Sequence, residues 1–462
     1  MYYKLKEEYQ LRGWEKLPTG LVKKLSSEVI FLNPTVFYTL QKACSLLPSS
    51  ALLLDDEQQV IIEELLKNEI IEKCSIPVPL KEEQKYKVYP NRFLYSIHWA
   101  ITGNCNCRCR HCYMSAPTAK IGEFSHEQCI ELIKQMKDCG VLTISLTGGE
   151  ALVRQDFLEI IDALTEAGIM ISTIMSNGLL VNEKLLKALA DRNIKPEFNM
   201  SFDGIGCHDW LRGINGAEKA VIKAFELCQK YGFPTGAEYC LHKDNTNELR
   251  ESVKLLASLG CKSLKVNRLC FEGEGVKIAD KVISVEEEYK KYLDYIPEFY
   301  EDGAPLELML SGVFANNDDK SYFIPFVKEM EDEEPDYYCL CGHARNYMHI
   351  TADGYIVPCI PLGSTESGRK HFPNIVNTTL SEVLKDSSYM AFIDTKLKEY
   401  FAHNPICEKC EFRNSCAGGC RGKAVEGKEN ADLLGRDMDA CKFFKQGWYE
   451  KVTKLMKELL PS

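Results

Sequence analysis

Beyond residue 93 two hydrophobic periods alternate along the chain. Short runs that are β-branched, or that switch strictly between apolar and polar, occupy 94–100, 143–147, 169–175, 197–202, 235–241 and 263–269. They predict strands. Between them, 125–139, 157–167, 183–191, 216–231 and 247–259 repeat apolar residues with the helical period. Ser125 and Asn247 are the expected N-caps of two of these helices. Alternation of this kind predicts parallel strands joined by right-handed crossovers. The predicted class is α/β. Six units make a partial (β/α)6 TIM-like barrel, with its chemistry at the carboxyl ends of the strands.

The chain before the barrel reads differently. Residues 2–14, 20–25 and 29–32 are short strand-like runs separated by turn residues. Asn33-Pro34 combines a cap with proline at the first helical position, predicting a helix to about residue 47. Asp55 and Gln58 form a capping-box pattern for a second helix through 68. Strands followed by helices suit a small winged-helix-like domain over residues 1–85, with 77–90 as a linker. Further on, 286–300 is expected to be helical. The acidic stretches 316–320 and 329–336 read as surface loops.

Composition narrows the function classes. The 462 residues carry a net charge of -11, which argues against a nucleic-acid partner. No apolar run approaches the ~18–20 residues of a membrane span. The opening MYYKLKEEYQ lacks the apolar stretch of a signal peptide, so a cytoplasmic protein is expected. In that setting 21 cysteines point to metal rather than disulfides. Cys44, Cys129, Cys139, Cys228 and Cys261 fall in apolar patterns and are expected to be small buried hydrophobes.

One stretch concentrates the chemistry. Residues 102–115 read TGNCNCRCRHCYMS, with Cys105, Cys109 and Cys112 in a C-x-x-x-C-x-x-C spacing just past the first predicted strand. Iron–sulfur clusters are normally held by four cysteines. A local triad therefore leaves one iron open to another ligand. Structural zinc favours four protein ligands and suits this loop poorly. Cys107 is expected to stand outside the ligand set with its side chain turned away. The triad spacing, His111 and Tyr113 resemble the radical S-adenosylmethionine (SAM) superfamily. The resemblance implies that the open iron binds the amino and carboxylate groups of SAM, with His111 among the cofactor contacts. It also implies SAM contacts for Gly148, Gly149 and Glu150 after the second strand, for Ser176 and Asn177 after the third, and for Ser201 and Arg212 around the fourth. Glu238, His242, Asn267 and Arg268 lie near later strand ends, and no residue is assigned a bond-making role.

The C-terminal region repeats the theme. Cys339 and Cys341 precede a G-x-x-x-x-C ending at Cys359; then follow Cys407, Cys410, Cys416, Cys420 and finally Cys441. The string resembles the SPASM extension of radical SAM enzymes, which implies two auxiliary [4Fe-4S] clusters and three in all. By position, Cys359 and Cys420 with Cys339, Cys341 or both would hold the first. Cys407, Cys410, Cys416 and Cys441 would hold the second. The implied division is 1–85, a precursor-recognition domain; 93–310, the radical SAM barrel; and 311–462, the SPASM domain. The layout resembles maturases of ribosomally made peptides, whose leader would bind the N-terminal domain while a flavodoxin or ferredoxin supplies electrons. The expected reaction is a thioether or carbon–carbon crosslink. An anaerobic sulfatase-maturing enzyme and a non-enzymatic metal or electron-transfer protein are the alternatives.

Overall fold

The computed structural model describes residues 1–26, 28–116, 121–328, 330, 337–428, 430 and 432–460. Among these, the first strands are β1 (Tyr2–Leu5), β2 (Tyr9–Trp14), β3 (Leu17–Lys23) and β4 (Val29–Phe31). Helix α1 (Pro34–Ala43) follows, with Asn33 accepting the Val36 amide, and then α2 (Asp56–Lys67), capped by Asp55. The first helix stops four residues before the predicted end, where Leu46 and Leu47 are exposed. β5 (Ile71–Cys74) pairs antiparallel with β1. The predicted linker is not featureless. It contains β6 (Lys87–Tyr89), which joins β2 in parallel and closes a sheet of order β4-β3-β2-β6. Leu5, Leu11, Leu21, Phe37, Leu40, Ile62 and Leu65 bury a separate apolar cluster beneath α1 and α2.

The central sheet holds eleven strands among the described residues. Its core is the parallel run β7 (Ser96–Ala100), β8 (Thr143–Thr147), β9 (Met170–Ser176), β10 (Glu197–Ser201), β11 (Thr235–Leu241), β12 (Ser263–Arg268) and β13 (Glu307–Leu310). β14 (Phe314–Asn316) and β15 (Tyr322–Phe323) extend one edge antiparallel. β16 (Tyr347–Ile350) lies parallel to β7 at the other edge, with β17 (Ile356–Val357) beside it. This is a mixed α/β fold with the large sheet of a partial barrel and a separate cysteine-rich C-terminal region.

Between the strands run α3 (His126–Asp138), α4 (Phe157–Glu166), α5 (Glu183–Asp191), α6 (His208–Arg212), α7 (Ala217–Tyr231), α8 (Leu249–Ser258) and α9 (Val285–Glu301). Alternation along each strand decides what goes where. On β7, Ile97 and Trp99 are buried in the main apolar cluster with Ile133, Met136, Ile144 and Ile160, so their neighbours Ser96, His98 and Ala100 face the opposite side of the sheet. Ser125 caps α3 with a full capping box. Asn247 does not cap α8, which starts one residue later behind Glu248; its side chain accepts from Lys291 Nζ at 3.1 Å instead. Asn316, expected in a loop, is buried at the end of β14, where it accepts the Leu308 amide. The acidic stretch 329–336 lies outside the described residues apart from Met330. No helix among the described residues is long and apolar enough to cross a membrane.

Candidate active site

The triad loop leaves β7 at its carboxyl end and is pinned on three sides. Thr102 Oγ1 and Asn104 Nδ2 donate to the two oxygens of Glu123. The amides of Arg108 and Arg110 donate to the carbonyls of Arg212 and Leu211, so the loop runs alongside the end of α6. The Cys112 carbonyl accepts the Glu274 amide. A further brace comes from Arg154, which donates to the carbonyls of Ile101 and Phe124 while paired with Asp156.

The loop faces a cavity of about 260 Å³, into which Cys105, Cys109 and Cys112 project from one wall. Gly148, Gly149, Ser176, Asn177, Ser201, Arg212 and His111 line the rest. All the predicted SAM-contact positions except Glu150 therefore converge there. The two glycines are required by space. A Cβ on Gly148 would sit 2.3 Å from the Thr102 carbonyl oxygen, and one on Gly149 2.3 Å from that of Asn104.

Glu150 lies beneath this surface. It is 1% exposed, and its carboxylate accepts from Ser176 Oγ and from the amides of Asn177 and Leu152. Burial raises its pKa to about 7. In this arrangement it braces two cavity residues. Asn177 Nδ2 in turn reaches Asn106 Oδ1 at 2.7 Å and Cys105 Sγ at 3.8 Å. Arg212 bridges Asp203, at 2.7 Å, and Cys109 Sγ, at 3.8 Å. The S–H of Cys107 and then Arg212 lower the Cys109 thiol to about 6.

Cys107 departs from expectation. It is buried, lines the same cavity, and its amide donates to Cys105 Sγ at 3.3 Å.

In the C-terminal region, Cys407, Cys410, Cys416 and Cys441 converge on a second cavity walled by Tyr400, Phe401, Ile406, Phe412 and Phe444. Tyr400 Oη contacts Cys407 Sγ at 3.4 Å, and Arg436 donates to Cys441 Sγ at 3.4 Å. A third group forms from Cys341, Cys359 and Cys420. Burial first, and then the charges of Cys420 and Cys341, push the Cys359 thiol well up. Cys339 is engaged by Arg345 and by Lys396 Nζ at 3.1 Å. Ile360, the neighbour of Cys359, lines the triad cavity, so this third group approaches the first site.

Comparison with known proteins agrees with this geometry. The pattern of the radical SAM superfamily matches residues 99–256, and that of the SPASM iron–sulfur cluster-binding domain matches 339–411. The chain carries a radical SAM domain followed by a SPASM domain. It is thus a radical-generating enzyme. Among curated proteins it resembles Fe-coproporphyrin III synthase of Methanosarcina barkeri, with 27% identity over 377 residues, 77% of this chain and 90% of that one. Among solved structures it resembles Streptococcus suis SuiB bound to its precursor peptide SuiA, with 17% identity, TM-score 0.64, and coverage of 94% of this chain and 99% of the other. It also resembles anSMEcpe bound to AdoMet and the Cp18Cys peptide, with 20% identity, TM-score 0.56, and coverage of 78% and 98%.

The two domains imply SAM and iron–sulfur clusters, and the donor sets of this radical SAM enzyme fit them. Four cysteines line each of the two cavities, and thiolates are the usual ligands of such clusters.

Sequence reasoning passed over three buried groups. Asp203 is 0% exposed; its carboxylate holds Arg212 and its amide donates to His208 Nδ1. His98 lines the triad cavity, with Nδ1 bonded to Tyr347 Oη at 2.7 Å. Their signal was present in the strand alternation, which turns His98 away from the apolar core on β7. The third is the cavity-lining place of Cys107, which the sequence had turned away.

Proposed function

We propose that this enzyme is a maturase of a ribosomally made peptide, forming a thioether or carbon–carbon crosslink. The observation that carries the reading is the N-terminal unit with an open sheet edge. In the β3–β4 pair, the amides of Lys23 and Leu32 bond across the ladder, and Leu21 is opposite Ile30. The antiparallel pattern then turns the amides of Val29 and Phe31 outward from the sheet. Phe31 is 44% exposed and Tyr38, on the adjacent helix, 63%. An extended leader peptide can add to such an edge as a further strand. Residues 1–85 would then be a winged-helix-like recognition domain, 93–310 the radical SAM barrel and 311–462 the SPASM domain. The likeness to peptide-bound SuiB spans nearly the whole chain, whereas those to anSMEcpe and to the coproporphyrin enzyme leave about a fifth or more of it unmatched. That difference favours a function that uses the N-terminal unit.

Within this reading Cys105, Cys109 and Cys112 hold one [4Fe-4S] cluster beside SAM. Together these groups supply a 5′-deoxyadenosyl radical that removes a hydrogen atom from substrate. Gly148 and Gly149 let the backbone come close to SAM, His111, Ser176, Asn177 and Ser201 wall it in, and Glu150 fixes Ser176 and Asn177 from below. Arg212 places positive charge beside Cys109. Cys341, Cys359 and Cys420 hold the first auxiliary cluster, with Cys339 reserved by Lys396 and Arg345. Cys407, Cys410, Cys416 and Cys441 hold the second. A flavodoxin or ferredoxin delivers the electron.

The test is intact mass of a cysteine-bearing candidate precursor peptide, after co-expression or incubation with anaerobically reconstituted enzyme, SAM and reductant. Loss of two hydrogens per crosslink is expected. An unchanged peptide in the presence of active SAM cleavage would reject the reading.

A further inference from the structure

A crosslink breaks two bonds to hydrogen and forms one new bond. One hydrogen leaves as an atom, taken by the deoxyadenosyl carbon. The other leaves the thiol or carbon partner as a proton plus an electron. The electron requires a one-electron acceptor of the iron–sulfur class, which the SPASM domain supplies in the reading above. The proton requires a base within reach of the substrate.

We infer that Glu238 is that base. The inference rests on the crosslinking reading. Glu238 is the middle residue of β11 and lines the same cavity as the cysteine triad. No other carboxylate is among the residues that line it. Its strand neighbours are Ser201 on β10, also in the cavity wall, and Lys265 on β12. Asn267 Nδ2 donates to Oε2 at 2.9 Å and fixes the carboxylate plane, while Oε1 has no hydrogen bond among the described residues. No Lys, Arg or His of the described residues makes an ion pair with it. A carboxylate left unpaired deep in a barrel mouth is costly unless it serves a purpose.

Its surroundings set its proton affinity. Burial raises the pKa, while Lys265 and Asn267 from β12 and Arg212 from α6 lower it, and Asp203 after β10 raises it. The net direction is upward, toward the neutral range where a general base is most effective. Two histidines also line the cavity; His111 is placed among the SAM contacts, which leaves His98 as the competing base. Its Nδ1 is engaged by Tyr347, its Nε2 has no partner, and burial, with His349 and Lys265, holds it well below the usual range. Such an imidazole binds a proton weakly.

The experiment compares wild type with Glu238→Gln, Glu238→Asp and His98→Gln, reading deoxyadenosine formed per crosslinked peptide. In Glu238→Gln this ratio is expected to rise about 100-fold or more, because hydrogen abstraction proceeds without an acceptor for the proton. Glu238→Asp should recover part of the coupling, which a merely misfolded site would not. An unchanged ratio in Glu238→Gln, or a rise confined to His98→Gln, overturns the inference. A second readout needs no peptide: infrared difference spectra against Glu238→Gln should show a carboxyl that protonates above the usual value of about 4. A carboxyl titrating at the usual value also overturns it. Wild type that cleaves SAM but never alters a peptide rejects the crosslinking reading instead, and leaves the infrared result to decide the character of Glu238.

Discussion

The triad cavity and the Cys407 cavity are both rings of thiols, yet they are built to opposite ends. The first is lined by the Cys105, Cys109 and Cys112 triad and by Cys107 between them. Facing them are two glycines, Ser176, Asn177, Ser201, Arg212 and Glu238. The second has four cysteines, enclosed by Tyr400, Phe401, Ile406, Phe412 and Phe444. In the proposed reading the triad, set among polar groups, would leave an iron for an outside ligand. The four thiols of the second cavity would leave none, and the aromatic rings around them would tune potential rather than bind substrate. On that reading one fold would use the same donor for two purposes, with the surroundings rather than the sulfurs deciding which.

The largest expected effect separates the two sites by function. Cys416→Ala should remove about four of about twelve irons per chain. It should abolish the crosslinked product while deoxyadenosine still forms, as read by iron analysis and chromatography of the same samples. Loss of both activities together would mean that the aromatic-shelled site is not independent of the open one.

Glu150 sharpens the open side. Its folded pKa of about 7 stands above its ordinary value of 4.5 because burial disfavours the charged form. The stability it contributes is therefore complete below about pH 4.5 and is lost as pH rises through about 7. The stability of wild type relative to Glu150→Gln should fall by up to about 3 kcal/mol across that window. Denaturant unfolding at a series of pH values checks it, and a flat difference would contradict the burial argument.

A smaller effect is expected from Gly149→Ala, whose Cβ meets the Asn104 carbonyl oxygen at 2.3 Å. Overpacking of this kind costs about 1–3 kcal/mol, so SAM affinity measured by calorimetry should fall about 10- to 100-fold. A Gly418→Ala change beside the second cavity meets the Tyr400 ring at 2.8 Å and strains a backbone at φ +79°, yet should leave SAM affinity unaltered. The smallest effect concerns how substrate reaches the open site. Val29→Pro removes an outward amide from the β4 edge without breaking its ladder. It should weaken binding of the precursor leader about tenfold, the value of one hydrogen bond.

Much of this was legible because local patterns agreed with global placement. Thr143–Thr147 and Thr235–Leu241 alternate cleanly and form strands over those residues. Cys105, Cys109 and Cys112 lie on one loop, so their spacing carried their convergence. What stayed hidden was non-local. Lys87–Tyr89 sits among lysines and prolines and becomes a strand only because β2 offers an edge. Tyr347–Ile350 docks on β7 from some 250 residues away, bringing Tyr347 to His98. Asn247 has the chemistry of a cap, but Lys291 takes its side-chain oxygen and the helix begins behind Glu248. Glu150 reads as a ligand contact by its place after two glycines, yet its carboxylate is turned down onto Ser176 and the Asn177 amide.

The most direct measurement is deoxyadenosine formation by the anaerobically reconstituted chain given SAM and a strong reductant, beside a variant with Cys105, Cys109 and Cys112 all replaced by alanine. The expected result is deoxyadenosine and methionine from the wild type and none from the variant, which should still hold about two thirds of the iron. Wild type that forms no deoxyadenosine, or a variant that goes on forming it, would contradict the account.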